Sequence, residues 1–258
     1  MWDSTMKRVT CLECLSASAR PAAAAAVEAT ASHDGDAAPA ADDVDVGRPG
    51  ASAQREYERR RTNRIEKTHA RHPHIGGLLL AVQSAPQHEI AFRSGAEGER
   101  EVADSLEART ASSPATFLHD RRMPRGRGNI DHLAIAASGV YVIDAKNHKV
   151  GKVRIEDPLL GKARLVIDGR DQTKLIDGLD RQVAAVTTRV AGAQIDVPVV
   201  GVLCFTKADL PLLGTMKMRS HLVLYRKALA KRLNAPGPLG EPQIRELAAM
   251  LARALPPA

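Results

Sequence analysis

Asp131, Asp144 and Lys146 lie in one run, "GNIDHLAIAASGVYVIDAKN" at 128–147, whose other positions are mostly apolar. A charge on a half-buried strand is costly unless something compensates it. The residue types leave two compensations open: the acids and the lysine form a structural ion pair, or the acids hold a cation. Asp-x-Lys alone is too weak a pattern to choose between them. In the second case the chemistry suited to the group is phosphodiester hydrolysis. Mg²⁺ prefers hard oxygen donors and keeps several waters while binding one or two carboxylates. The cation makes a bound water more acidic and screens charge building on a phosphate. An adjacent ammonium orients the nucleophile or stabilises that charge. Glu99, in the stretch before the run, offers a third carboxylate.

The elements that must position these groups follow from periodicity. Side chains alternate along a strand, so Asp144 and Lys146 share a face with Val142, and Tyr141 and Ile143 take the other. "ASG" at 137–139 predicts a tight turn, making 130–136 and 140–145 an antiparallel hairpin. Asp131 then reaches the end of the hairpin where Asp144 sits. "GAEGEREVADSLEART", with Val102 and Leu106 four apart and Ala103 beside them, predicts a helix that brings Glu99 in from above. Further strands are expected at 116–120, 153–155 and 165–167, and a helix over 173–191. "VPVVGVLCF" reads as a buried strand, and 222–255 as a short strand with two helices. The order helix, three strands, helix, strand predicts an α/β fold, a mixed sheet flanked by helices.

The segments "GAEGE", "GNIDHLAIAASGVYVIDAKN" and "DRQV" together resemble the nuclease-related domain, NERD, of the PD-(D/E)XK restriction-endonuclease-like superfamily. The resemblance covers about 92–207 and implies an αβββαβ core and metal-dependent hydrolysis of DNA, with RNA also compatible. It implies Asp131 and Asp144 as metal ligands, Mg²⁺ or Mn²⁺ as the ion, and Lys146 as the catalytic lysine. Glu99 matches the helix acid that supports the metal shell, with Glu97 the fallback one helical step away. Gln182 matches a glutamine of the second helix, and the Ala145 carbonyl is a further candidate donor. The rival reading is a non-catalytic nucleic-acid-binding or assembly module that keeps the fold.

The remainder of the chain divides by composition. Residues 1–15 hold Cys11 and Cys14, half the ligand set that zinc requires, so zinc is not expected there. Residues 16–50 are rich in Ala, Asp and Pro and predict a tract without regular structure. Residues 51–74 predict a basic helix, either a solvated face or an arm that touches nucleic acid. Residues 208–258 form a C-terminal helical extension. The net charge of +7 and isoelectric point near 9.5 suit a polyanionic partner. Arg121, Arg122, Arg125 and Arg127, around "PRGRG", are the local candidates for phosphate contact, although a solvated loop is an equal reading. No apolar run is long enough to span a bilayer, and the N-terminal stretch, interrupted by Glu13, is a poor leader peptide. A cytoplasmic protein that does not enter membranes is therefore expected. His69, His72 and His74 read as surface histidines. "FTKAD" at 205–209 has no upstream phosphate-binding loop and carries no nucleotide site.

Overall fold

The structure is a computed structural model and describes residues 44–126, 128–147, 151–158, 161–210 and 215–258. Three helices come first: α1 (Ala51–Arg71), α2 (Gly76–Val82) and α3 (Gln87–Thr110). They lead into β1 (Thr116–Arg122), β2 (Asn129–Ala136) and β3 (Gly139–Lys146). A small antiparallel sheet of β4 (Val153–Glu156), β5 (Arg164–Ile167) and β6 (Arg170–Asp171) precedes α4 (Thr173–Gly192). The chain finishes with β7 (Val199–Phe205), β8 (Met216–Met218), β9 (His221–Tyr225), α5 (Arg226–Leu233) and α6 (Glu241–Ala254).

The main sheet has the order β1-β2-β3-β7-β9-β8. β1, β2 and β3 are antiparallel neighbours, β7 runs parallel to β3 and β9, and β8 closes the edge antiparallel. The expected hairpin forms with Ala136 opposite Gly139, whose φ of 146° and contact with Pro198 O leave no room for a side chain. The return from β3 to the parallel β7 needs a crossover, which α4 supplies. Strands buried on both faces read as unbroken apolar runs, as β3 and β7 do.

Alternation along the strands builds one core on each side of the sheet. Val140, Val142, Leu133 and Ile135 pack with Ile176, Leu179 and Val186 of α4 and with Ile244, Leu247 and Leu251 of α6. Tyr141, Ile143, Ala134 and Val202 pack on the other side with Val102 and Leu106 of α3 and Leu229 and Leu233 of α5. The mixed, helix-flanked sheet expected from sequence is thus present. Residues 208–258 do more than extend it: β8 and β9 complete the sheet, and α5 and α6 cover opposite faces.

The expectation for 1–15 and for 16–43 falls outside the described residues. Residues 44–50 form no helix or strand but are tied to the core. His119 N–H donates to Val46 O at 2.7 Å, and Arg121 Nη1 donates to Asp45 O at 2.8 Å. The boundary of the folded region therefore lies before α1, because β1 at the sheet edge has free backbone groups for this strap to satisfy.

Candidate active site at the end of β2 and β3

Asp131 and Asp144 converge. The Asp131 carboxylate crosses to the next strand, where its Oδ2 accepts the Ala145 N–H at 2.8 Å. Asp144 Oδ1 accepts from Lys146 Nζ at 2.6 Å, so the two residues that alternation places on one face form an ion pair. Lys146 keeps 21% of its side-chain surface exposed, which leaves the ammonium accessible. Asp131 and Asp144 lie just beyond the β2–β3 ladder, which ends at His132 and Ile143, while Asp144 stays paired with Leu203 of β7.

Glu99 joins them from α3. The inward stripe of that helix runs Glu89, Ala96, Glu99, Val102, Leu106 and Thr110, a helical spacing, and Glu99 is only 8% exposed. Glu97 lies on the outer face and pairs with Arg93 at 3.7 Å, so α3 directs Glu99, and not the fallback, at the group. Close helix–sheet contact requires Gly98: a Cβ there would stand 2.5 Å from Asn147 Cβ. Asn147 locks the same junction, donating from Nδ2 to Ser94 O at 2.9 Å and accepting from Thr206 Oγ1 at 2.9 Å.

The electrostatics of the group are those of crowded, under-compensated acids. Burial, then the neighbouring Asp120, raises the Glu99 carboxyl to about 7, against partial relief from Lys146 and a Gly50 backbone hydrogen bond. Asp131 is pushed well above the ordinary carboxylate range by burial, and next by Glu99 and Asp144. Burial opposes the charge on Lys146, but Asp144, Asp131 and Glu99 outweigh it and raise its pKa, so it stays an ammonium at neutral pH. Glu99 Oε2 is buried with no hydrogen-bond partner among the described residues.

A divalent cation fits this donor set. The acids supply hard oxygens, one of them orphaned, and Glu99 and Asp131 are raised by burial first and then by neighbouring carboxylates. Among the described residues no three His, Cys, Asp or Glu side chains stand at the spacing that would hold a metal ion by themselves. Mg²⁺ does not need three, since it binds through one or two carboxylates and completes its shell with water.

Gln182 projects from α4 to the neighbouring strand, where its Nε2 donates to Asn129 O at 3.0 Å, two residues from Asp131. Its Oε1 is buried and unpartnered among the described residues. Gln182 also lines a cleft of about 810 Å³ between α4 and the loop after β1, together with Arg125, Arg181 and Arg189. Arg122 and Arg125 are exposed, as phosphate contact requires, and Arg127 lies outside the described residues.

Arg121 corrects the sequence reading. It is fully buried and donates to three carbonyls, Leu255 O at 2.6 Å, Ala252 O at 2.7 Å and Asp45 O at 2.8 Å. It clamps the C-terminal end of α6 and the 44–50 strap to β1, and cannot reach a ligand. The left-handed backbone of Asp120 interrupts the alternation of β1, and Arg121 turns to the end of α6 while Arg122 faces solvent.

Sequence reasoning missed Asp120, 1% exposed at a φ of 49°. Its Oδ2 accepts the Ser52 N–H at 2.6 Å, and its Oδ1 accepts the Ser52 hydroxyl at 2.7 Å and the Asn129 amide. It thereby holds the first turn of α1 against the sheet. Nothing local signals this, since Ser52 is 68 residues away. Asn147, adjoining Lys146 in the motif, was visible in sequence but carried no assigned role.

The histidines His69, His72 and His74 are exposed, and Cys204 is buried in β7 with its thiol pushed up to about 12 by burial. No helix among the described residues is long and apolar enough to cross a membrane. Residues 94–206 match the family described as nuclease-related domain. No curated protein and no solved structure matches the chain.

Proposed function

With residues 94–206 forming a nuclease-related domain, we propose that this protein hydrolyses DNA phosphodiesters with Mg²⁺ or Mn²⁺ at the end of β2 and β3. The observation that carries the reading is the convergence of Asp131, Asp144 and Lys146, with Glu99 turned in from α3, on one under-compensated spot. Asp131 and Asp144 would hold the cation, with Glu99 supporting its shell and the Ala145 carbonyl at hand. When bound, the cation supplies a more acidic water and screening of the phosphate charge.

The chain's own residues do the rest. Asp131 is fixed by the Ala145 N–H, which couples its position to that of Asp144 on the next strand. Lys146 remains protonated, so it is not a proton acceptor; it orients the attacking water or a non-bridging phosphate oxygen and stabilises charge as the P–O bond breaks. Gln182 steadies the backbone at Asn129 and lines the cleft beside it. Arg122 and Arg125 stand where flanking phosphates would pass.

The test is cleavage of linear, circular and single-stranded DNA, and of RNA, with Mg²⁺, with Mn²⁺ and with EDTA. Cleavage with either cation, abolished by EDTA and by Asp144→Ala, supports hydrolysis. Binding without cleavage under every cation condition overturns it in favour of the non-catalytic module.

A further inference from the structure

Beyond the carboxylate site, α1 and α3 form a second charged feature. The two helices run antiparallel: Gly50 lies against Ala96, Arg60 against Phe92 and Arg64 against Glu89. Along α1, Arg60, Arg64, Lys67 and Arg71 recur at helical spacing and share one face. That face, with Arg59 beside it, walls a groove of about 580 Å³ whose other side is built by α2 and the start of α3. From Arg60 to Arg71 the stripe covers about 16 Å at 1.5 Å per residue.

The groove is built to keep its cations in place. Arg64 Nε–H donates at 2.9 Å to Glu89, which is 1% exposed at the groove wall. Arg60 packs over the Phe92 ring at 4.7 Å and pairs with Glu56 at 2.5 Å. Lys67 and Arg71 are exposed, and among the described residues they form no ion pair. Solvated helices usually intersperse acids at i±4 from such cations. Here the face that meets the groove gathers five cations; Glu56 pairs with Arg59 and Arg60 and Glu89 with Arg64, which leaves Lys67 and Arg71 without an ion pair among the described residues.

Its direction links the groove to the proposed site. The first turn of α1 is fastened there, through Ser52 to Asp120 and through Gly50 to Glu99. Glu89, level with Arg64, lies ten residues along α3 from Glu99, about 15 Å away. We infer that the α1–α3 groove is an accessory track for the phosphate backbone of duplex DNA, engaging it several base pairs from the phosphate at the carboxylate site. This rests on the proposed nucleic-acid substrate but not on its cleavage. Double-stranded DNA rises 3.4 Å per base pair, so the stripe matches about five base pairs and begins, where Arg60 meets Phe92, about three from Glu99. A linear row of cations at this pitch suits a regular polyanion; a flat or clustered basic patch would not distinguish one.

The experiment measures binding of the full chain to duplexes of about 8 and about 20 base pairs in EDTA over a range of salt, where hydrolysis does not intervene. The variant Arg59→Gln/Lys67→Gln/Arg71→Gln removes exposed charges and spares the Arg64–Glu89 pair; melts confirm that it folds. The expected result is that the longer duplex loses about tenfold in affinity at about 0.1 M salt, with the salt slope falling by about 0.9 for each lost phosphate contact. The shorter duplex, centred on the carboxylate site, extends about four base pairs along and meets only the near end of the groove, so it should lose much less. An unchanged salt slope for the longer duplex, equal loss for both lengths, or equally tight binding of poly-glutamate overturns the track. If the track holds while Mg²⁺ and Mn²⁺ give no cleavage, the hydrolysis reading fails by itself.

Discussion

Asp120 and Asp131 stand across from each other on paired strands, between the partners His119–His132 and Arg121–Ile130. One is saturated: Asp120 takes hydrogen bonds from the Ser52 N–H, the Ser52 hydroxyl and the Asn129 amide, with Arg55 4.0 Å away. The other receives one backbone N–H and is crowded by Glu99 and Asp144. Two carboxylates in nearly the same frame, one buried and one half-buried, thus do opposite things. The satisfied one fixes a helix to a sheet. The under-satisfied one holds a negative potential that only a cation or a proton relieves, and that is the usual mark of a working group rather than a structural one.

The largest expected effect tests the Asp131 side. Lys146→Ala should reduce turnover by about 10²–10³ while leaving metal affinity, measured by calorimetry, nearly intact, since an ammonium is not a ligand. Asp144→Ala should abolish both turnover and metal binding, and its melting temperature without metal should hold or rise because carboxylate repulsion is relieved. If instead each change lost about 3–5 kcal/mol of stability with cleavage intact, the Asp144–Lys146 pair would be structural and the contrast with Asp120 would collapse.

Asp120→Ala should behave in the opposite way. It strands the Ser52 and Asn129 donors and removes the anchor of α1, for a loss of about 3 kcal/mol in chemical denaturation. A loss below about 0.5 kcal/mol, the range of ordinary surface changes, would mean that the network is incidental.

Acidity sharpens the comparison further. Glu99 has a folded pKa of about 7 against an ordinary 4.5, so the folded state binds its proton more tightly and gains stability as pH falls from 7 to 4.5. His132, on the strand of Asp131, is held down to about 3 by burial and by His119, whose Nδ1 lies 2.9 Å from its own. There the unfolded state binds the proton more tightly, and stability is lost as pH falls from 6.5 toward 3. The two oppose each other between 6.5 and 4.5, each with a slope of about 1.4 kcal/mol per pH unit at most. Asp131, raised like Glu99, and His119, lowered like His132, oppose each other in the same way, so the metal-free protein should melt at a nearly constant temperature across that window. Glu99→Gln should turn it into a steady decline on acidification; parallel profiles for the two proteins would contradict the raised Glu99 pKa.

The 44–50 strap should matter less. Extending an N-terminal deletion from residue 43 to residue 50 removes the bonds to His119, Arg121 and Glu99, and should cost about 1–2 kcal/mol by comparison of the two truncations. Residues 44–50 keep the irregular backbone expected over 16–50, yet these bonds tie them to β1 and α3. Smallest of all, Arg125→Gln should weaken DNA binding a few-fold and equally for all sequences, since phosphate contacts position without specifying.

Much of this was legible in the chain itself. Alternation in "GNIDHLAIAASGVYVIDAKN" dictated the hairpin and put Asp144 and Lys146 on one face, because strand periodicity is a local property of the backbone. The helical stripe through Val102 and Leu106 carried Glu99 with it. What the tertiary structure alone decided concerns partners far apart in sequence. The four arginines near 121–127 look alike in sequence, yet Arg121 is buried because α6, more than 130 residues later, offers its terminal carbonyls. Asp120 and Asp131 are the same residue type on adjacent strands, and only the arrival of Ser52 at one of them separates the anchor from the candidate site residue. Hydrogen bonds of such long loop closure form only once the fold has brought the elements together, so no local pattern encodes which buried charge will be satisfied.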